Sequence, residues 1–142
     1  MSAMNSRTFS LFAVLVAFIL SLPGCKKDDM VNETMAEIEK LATEINETVN
    51  KAEDKKQGVA DAQKLLDAKK DDLKGKMKEI GELRGFQVSD ETMTKMGGSI
   101  ADAVMNVEGL KLDLMSETMQ DAELKTALDK LTKDFTDTLQ PV

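Results

Sequence analysis

From Val31 onward one apolar frame recurs every seven residues: Val31, Ile38, Ile45, Ala52, Val59, Leu66, Leu73 and Ile80. A seven-residue step returns a side chain to the same side of an α-helix after two turns, so this row predicts helix packed lengthwise on helix. Four residues after each of the first seven lie Met35, Ala42, Val49, Lys56, Gln63, Lys70 and Met77, a companion row that is apolar at both ends and polar in the middle. Gly58 is the obvious weak point, because glycine costs about 1 kcal/mol in a helix interior relative to alanine. The frame nevertheless passes through Gly58 without a change of phase, which predicts one helix over about 30-84, roughly 80 Å long at ~1.5 Å per residue.

The clearest stop is Arg84-Gly85-Phe86-Gln87-Val88-Ser89-Asp90. Gly85 can take a left-handed cap, Phe86 and Val88 can fold back onto the helix ends, and Ser89 or Asp90 can cap a new helix. A second frame then runs over about 89-139, with Met93, Ile100, Val107, Leu114, Leu128 and Phe135 in one row and Met96, Ala103, Leu110, Leu124 and Leu131 in the other. Glu117 and Asp121 interrupt it at seam positions, and Pro141 cannot continue the helix. The fold expected is all-α: a long antiparallel helical hairpin of about 30-84 and 89-139 with heptad seams. Folding the two arms about residue 87 brings Lys56 near Glu117 and Asp121, the level at which both arms are weakest. A hinge at that level gives the alternative, a four-helix bundle bent near Gly58 and Glu117.

Ahead of the helices, Arg7 precedes an apolar run from Phe9 to Leu22, broken by Pro23 and Gly24 and followed at once by Cys25, the only cysteine, and by Lys26, Lys27, Asp28 and Asp29. A helix that crosses a bilayer needs about 20 apolar residues, and this run falls short, so it reads as the core of a cleaved signal. Leu22-Pro23-Gly24-Cys25 resembles the lipobox of a bacterial lipoprotein signal peptide, although Pro23 stands where that family usually has a small residue. The resemblance implies a cut between Gly24 and Cys25 after a diacylglyceryl group has been attached to the Cys25 sulfur. Residues 1-24 would then be signal peptide, 25-30 a short lipid-anchored leader and 31-142 a single helical domain. Acyl chains such as palmitate, at about 0.8 kcal/mol per buried methylene, would hold it to the membrane. The resemblance implies the bacterial cell envelope, and Lys26 after the cysteine, where Asp favours the inner membrane, favours the periplasmic face of the outer membrane in a diderm organism.

Taking Arg7 away with the signal leaves 18 basic residues against 26 acidic ones, a charge of −8. Phosphate backbones would be repelled, so no nucleic-acid partner is expected. The same segment removes three of five phenylalanines, and the chain has no Trp, Tyr or His. Leu, Ile, Val, Met and Ala must therefore form the core, which suits helices better than a sheet. Without histidine, and with Cys25 committed to lipid, the domain cannot assemble a Ser-His-Asp or Cys-His centre, a zinc site of the usual kind or a Glu-x-x-His di-iron site. Gly97-Gly98 lacks the Walker spacing and reads as a helix irregularity with Ser99 recapping, while Gly75 and Gly81 would lie at similar heights in the hairpin and allow close backbone approach. The pairs Met93 and Met96, and Met115 and Met119, could offer thioethers to Cu(I), but Met35, Met77, Met93 and Met96 occupy seam rows in which methionine fills core space. No catalytic residue, metal ligand or cofactor is assigned.

These features lead to the expectation of a lipid-anchored, non-enzymatic envelope protein, a helical spacer, scaffold or oligomerising coiled-coil module. Its partners would be the membrane, through acyl chains on Cys25, and either a second copy or an envelope protein that covers apolar surface left open by a single hairpin. The alternative is a periplasmic chaperone-like or ligand-binding module with methionine-lined helices. In general plan the chain is similar to the small helical murein-type lipoproteins, but it ends in Pro141-Val142 instead of the lysine that joins those to peptidoglycan, so covalent wall attachment is not expected.

Overall fold

The computed structural model describes residues 25 to 140 of the 142-residue chain. Leu22, Pro23 and Gly24 lie outside the described residues. Six helices follow one another: α1 Cys25–Lys51, α2 Lys55–Gly81, α3 Asp90–Glu108, α4 Leu110–Asp113, α5 Met115–Gln120 and α6 Ala122–Leu139. No strand occurs among the described residues, so the chain is all-α as expected.

Of the two arrangements weighed, the four-helix bundle is the one formed. Lys27 pairs with Glu79 at 3.0 Å and Lys76 with Glu37 at 2.5 Å, which sets α1 and α2 antiparallel. Ser99 Oγ donates to Glu39 Oε1 at 2.7 Å and Asn46 Nδ2 to the Asn106 carbonyl at 3.1 Å, so α3 runs parallel to α1. In the same way Lys56 meets Glu123 at 2.9 Å and Gln63 meets Asp134 at 3.0 Å, so α6 runs parallel to α2. Two hairpins, α1 with α2 and α3 with α6, therefore lie side by side, and the loop of residues 82 to 89 crosses the bundle's base to join them.

The single helix over 30-84 is thus corrected: Ala52, Glu53 and Asp54 form a turn. Asp54 caps α2 by accepting from the Gln57 amide at 3.2 Å. From the next position Lys55 Nζ reaches back to the carbonyls of Val49, Asn50 and Ala52 at 3.3, 2.8 and 2.9 Å, giving the last turn of α1 the donors it lacks. Gly58 marks close approach across this turn, because a Cβ there would stand 2.6 Å from Ala52 Cβ and 3.3 Å from the Thr48 carbonyl oxygen. The heptad frame survives the reversal. Val31, Ile38, Ile45, Val59, Leu66, Leu73 and Ile80 are all buried, while Ala52, in the turn, is partly exposed. Two helices can share a register without being one helix.

The second frame also fills the interior. Val107, Leu110, Leu114, Leu124, Leu128, Leu131 and Phe135 are buried in the same cluster as the first, whereas Met93 is 40% exposed. Thr34, Thr132 and Thr138 are buried beside them, each hydroxyl donating to a carbonyl one turn back, at Met30, Asp129 and Asp134.

Several local expectations change. Residues 25 to 30 form the first part of α1, and Met30 packs against the core. Ser89 does cap α3, accepting from the Thr92 amide at 3.2 Å. Gly85 is not a left-handed cap, since no described glycine has positive φ, and the helix stops earlier, at Gly81. Val88 folds back into the core and Phe86 does not. Helix α3 runs through Gly97 and Gly98 without a break, and an added Cβ at Gly75, Gly97 or Gly98 would meet nothing within 4 Å, so no close approach occurs there.

Candidate functional site

The end of the bundle formed by residues 105 to 123 holds the features that the core does not account for. Gly109 ends α3, with its amide bonded to the Met105 carbonyl at 2.9 Å. Neither α4 nor α5 has a side-chain cap, and Leu114 between them leaves helical geometry at φ −103° and ψ 18°. Leu110 and Leu114 turn into the core and pin this irregular segment. Between them Leu112 is 77% exposed, and Met119 beyond is 81% exposed.

Met105, Leu112 and Met119 are themselves seven residues apart, a third apolar row pointing away from the seam. Beside it is an open groove of about 680 Å³ lined by Met115, Met119, Ala122 and Leu128 together with Lys111, Lys125 and Asp129. Its charges are already matched: Lys125 lies 2.8 Å from Asp129, and Lys111 lies 2.8 Å from Glu108 and 3.8 Å from Asp129. The hydrogen bond from Lys125 above all holds the Asp129 carboxyl below the usual carboxylate range. A neutralised rim and polarisable thioethers suit an apolar side chain or helix face more than an ion.

On the other side of α6 lies the polar meeting expected between the arms. Lys56 Nζ is 2.9 Å from Asp121 Oδ2 and 2.9 Å from Glu123 Oε2, while Glu117 stays exposed and outside the contact. Asp121 has a second role as cap of α6, accepting from the Glu123 and Leu124 amides at 3.0 Å each. The Leu124 amide first and Lys56 second hold its carboxyl below the ordinary range. Glu123 first and Asp121 second raise the Lys56 ammonium above the ordinary lysine value. Both shifts favour the charged forms, so the trio is an ion-paired clasp between the start of α2 and the start of α6. Further along α2, Gln63 donates to Asp134 while its Oε1 is buried without a partner.

The methionine pairs separate. Met96 is buried and Met93 is not, so those two do not share a solvent-facing site, whereas Met115 and Met119 line one groove. Among the described residues no group of three or more His, Cys, Asp or Glu side chains is gathered to hold a metal ion, and no helix is long and apolar enough to cross a membrane. Cys25 is the first residue of α1, at the end of the bundle opposite the groove. The 27 residues of α1 put about 40 Å between the two ends, at ~1.5 Å per residue. The seam rows do not include the outward row, yet its signal is in the sequence: Met105 and Leu112 are apolar and belong to neither seam row. No protein family model matches the chain, and neither a curated protein nor a solved structure is found to resemble it.

Proposed function

We propose that this chain is a lipid-anchored, non-enzymatic protein of the bacterial envelope, held at one end by acyl chains on Cys25, that engages an envelope protein through the other. The observation that carries this reading is the apolar row Met105, Leu112 and Met119, with Met115, at the end of the bundle remote from Cys25. The bundle buries most of both heptad seams within one chain, so the seams no longer call for a second copy to cover them. What stays uncovered is concentrated in the irregular segment, and exposed apolar groups grouped in this way mark contact surfaces more often than isolated ones do. As a spacer the bundle would carry that surface about 40 Å from the anchor.

Two measurements test the two halves of the proposal. Cys25→Ser should abolish acylation and detergent partitioning; unchanged partitioning removes the anchor. A photocrosslinking residue at position 112 or 119 should capture a specific envelope protein in cells, while one at position 74, on the exposed side of α2, should not. Equal capture, or none, removes the contact role.

A second reading rests on the groove itself, which Met115, Met119 and Leu128 line with flexible apolar side chains. Such a surface suits a chaperone-like or ligand-binding module. The lipid-free domain would then suppress aggregation of an unfolding protein at near-stoichiometric ratio, and inertness in that assay would rule against it.

A further inference from the structure

Two phenylalanines follow residue 24, and their surroundings are opposite: Phe135 is fully buried and Phe86 is 86% exposed. The exposed ring is not on a slack segment. On one side of it Leu83 packs against the core, and on the other Val88 is buried. Between them the Gln87 amide donates to the Arg84 carbonyl at 2.8 Å and the Arg84 amide to Gln87 Oε1 at 2.9 Å, which closes a turn carrying Gly85 and Phe86 at its tip. The fold thus holds an aromatic ring out in solvent on a pinned loop.

The position of that loop selects an occupant. The Ser89 amide donates to Asp28 Oδ1 at 2.9 Å, so the loop is tied to the first turn of α1. Cys25 lies three residues before Asp28, about 5 Å along the axis at ~1.5 Å per residue. The start of α1 and this loop share one end of the bundle, so acyl chains on Cys25 would leave from the end at which Phe86 is exposed. Charge does not drive contact with a bilayer. Glu79 is matched by Lys27 and Glu91 by Lys95, but the exposed Arg84 is outnumbered by the exposed Asp29, Glu82 and Asp90, so the ring and the anchor have to carry the contact. One ring would bind a membrane weakly by itself, but a neighbouring anchor turns the encounter into an intramolecular one at high effective concentration.

We infer that the loop of residues 82 to 89 is a second membrane contact, in which Phe86 seats in the interfacial region of the bilayer that holds the Cys25 acyl chains and sets the bundle upright. Arg84 lies level with the lipid phosphates. The axis of α1 then points away from the membrane and the methionine groove faces the space beyond. This inference rests on the proposed acylation of Cys25.

The absence of tryptophan makes the contact directly measurable. Phe86→Trp and, separately, Leu112→Trp each place one indole in the full-length acylated protein, which is reconstituted into phosphatidylethanolamine and phosphatidylglycerol vesicles with or without brominated acyl chains. Flotation and intact mass report the anchor in the same samples. Both variants should float, and only the Phe86→Trp emission should shift to the blue and be lost to the brominated chains. Flotation with an unquenched Phe86→Trp signal would overturn the contact while leaving the anchor standing, as expected if the ring meets water or a protein. Quenching of both indoles would overturn the upright orientation. An unacylated protein that fails to float would overturn the anchor and this inference together.

Discussion

The bundle reverses twice at the end remote from Cys25, and the two reversals are built on different principles. Between α1 and α2 the chain turns in Ala52, Glu53 and Asp54, with Asp54 capping one helix, Lys55 closing the carbonyls of the other and Gly58 admitting close contact. Between α3 and α6 it uses residues 109 to 121, in two short uncapped helices that leave Leu112, Met115 and Met119 in solvent. The short reversal closes in three residues and the long one takes thirteen, of which only Leu110 and Leu114 are buried. The short reversal shows what closure alone requires; the side chains that the long one displays are surplus to it and available for contact.

The sharpest way to break this contrast is to truncate inward and outward side chains of the long reversal separately. Leu110→Ala or Leu114→Ala should cost about 2–5 kcal/mol in urea unfolding, whereas Leu112→Ala or Met119→Ala should stay within about 0.5 kcal/mol. If the outward pair costs as much as the inward pair, the row belongs to the core and the contrast fails. Glycine in α2 gives the next largest effect, and with a change of sign. Gly58→Ala puts a Cβ 2.6 Å from Ala52 Cβ and should lose about 1–3 kcal/mol, while Gly75→Ala meets nothing and should gain up to about 1 kcal/mol from helix propensity. Asp54→Ala, which removes the cap of the short reversal, should cost about 1 kcal/mol. Leu114, at the corresponding start of α5, makes no cap bond that could be lost.

Burial was legible in the heptad rows because a seven-residue step is a statement about faces, and faces persist whichever helix is the neighbour. Topology was not, for the same reason. From Ile45 to Val59 the step is kept across a complete reversal, so continuity of phase could not distinguish a long helix from two short ones. In the sequence Gly58 reads as a weak helix interior, whereas its absent side chain serves the chain passing beside it. Hairpin and bundle both bring the interrupted stretches of the two frames to one level, so Lys56 meets Asp121 in either topology. In the candidate site, Met115 and Met119 were visible as a pair, but the row of Met105, Leu112 and Met119 gains meaning only once Val107, Leu110 and Leu114 are known to point inward. The resemblance to a lipobox is carried by residues alone, since Leu22, Pro23 and Gly24 lie outside the described ones.

The smallest effect concerns the clasp that ties the two reversals together, Lys56 with Asp121 and Glu123. Asp121 has a lowered carboxyl pKa, so its contribution is present above the unfolded value of about 3.9 and is lost as pH falls through the folded one. Lys56 is raised, so its contribution is present below about 10.4 and is lost as pH rises through its folded value. Stability from the clasp should therefore be level across neutral pH and decline first in acid. The side chains are 46% and 35% exposed, which leaves the pair open to screening by salt. Asp121→Asn keeps a competent cap and removes the charge, so its deficit at pH 7 should be slight and should vanish in high salt, whereas Asp121→Ala, which loses the cap as well, should cost more at any salt concentration. Equal deficits would mean that the carboxylate acts by charge alone. Leu110 and Leu114 pin the long reversal independently of the clasp, so Lys56→Gln should leave crosslinking from position 112 or 119 unchanged; its loss would show that the short reversal helps to hold the contact surface in place.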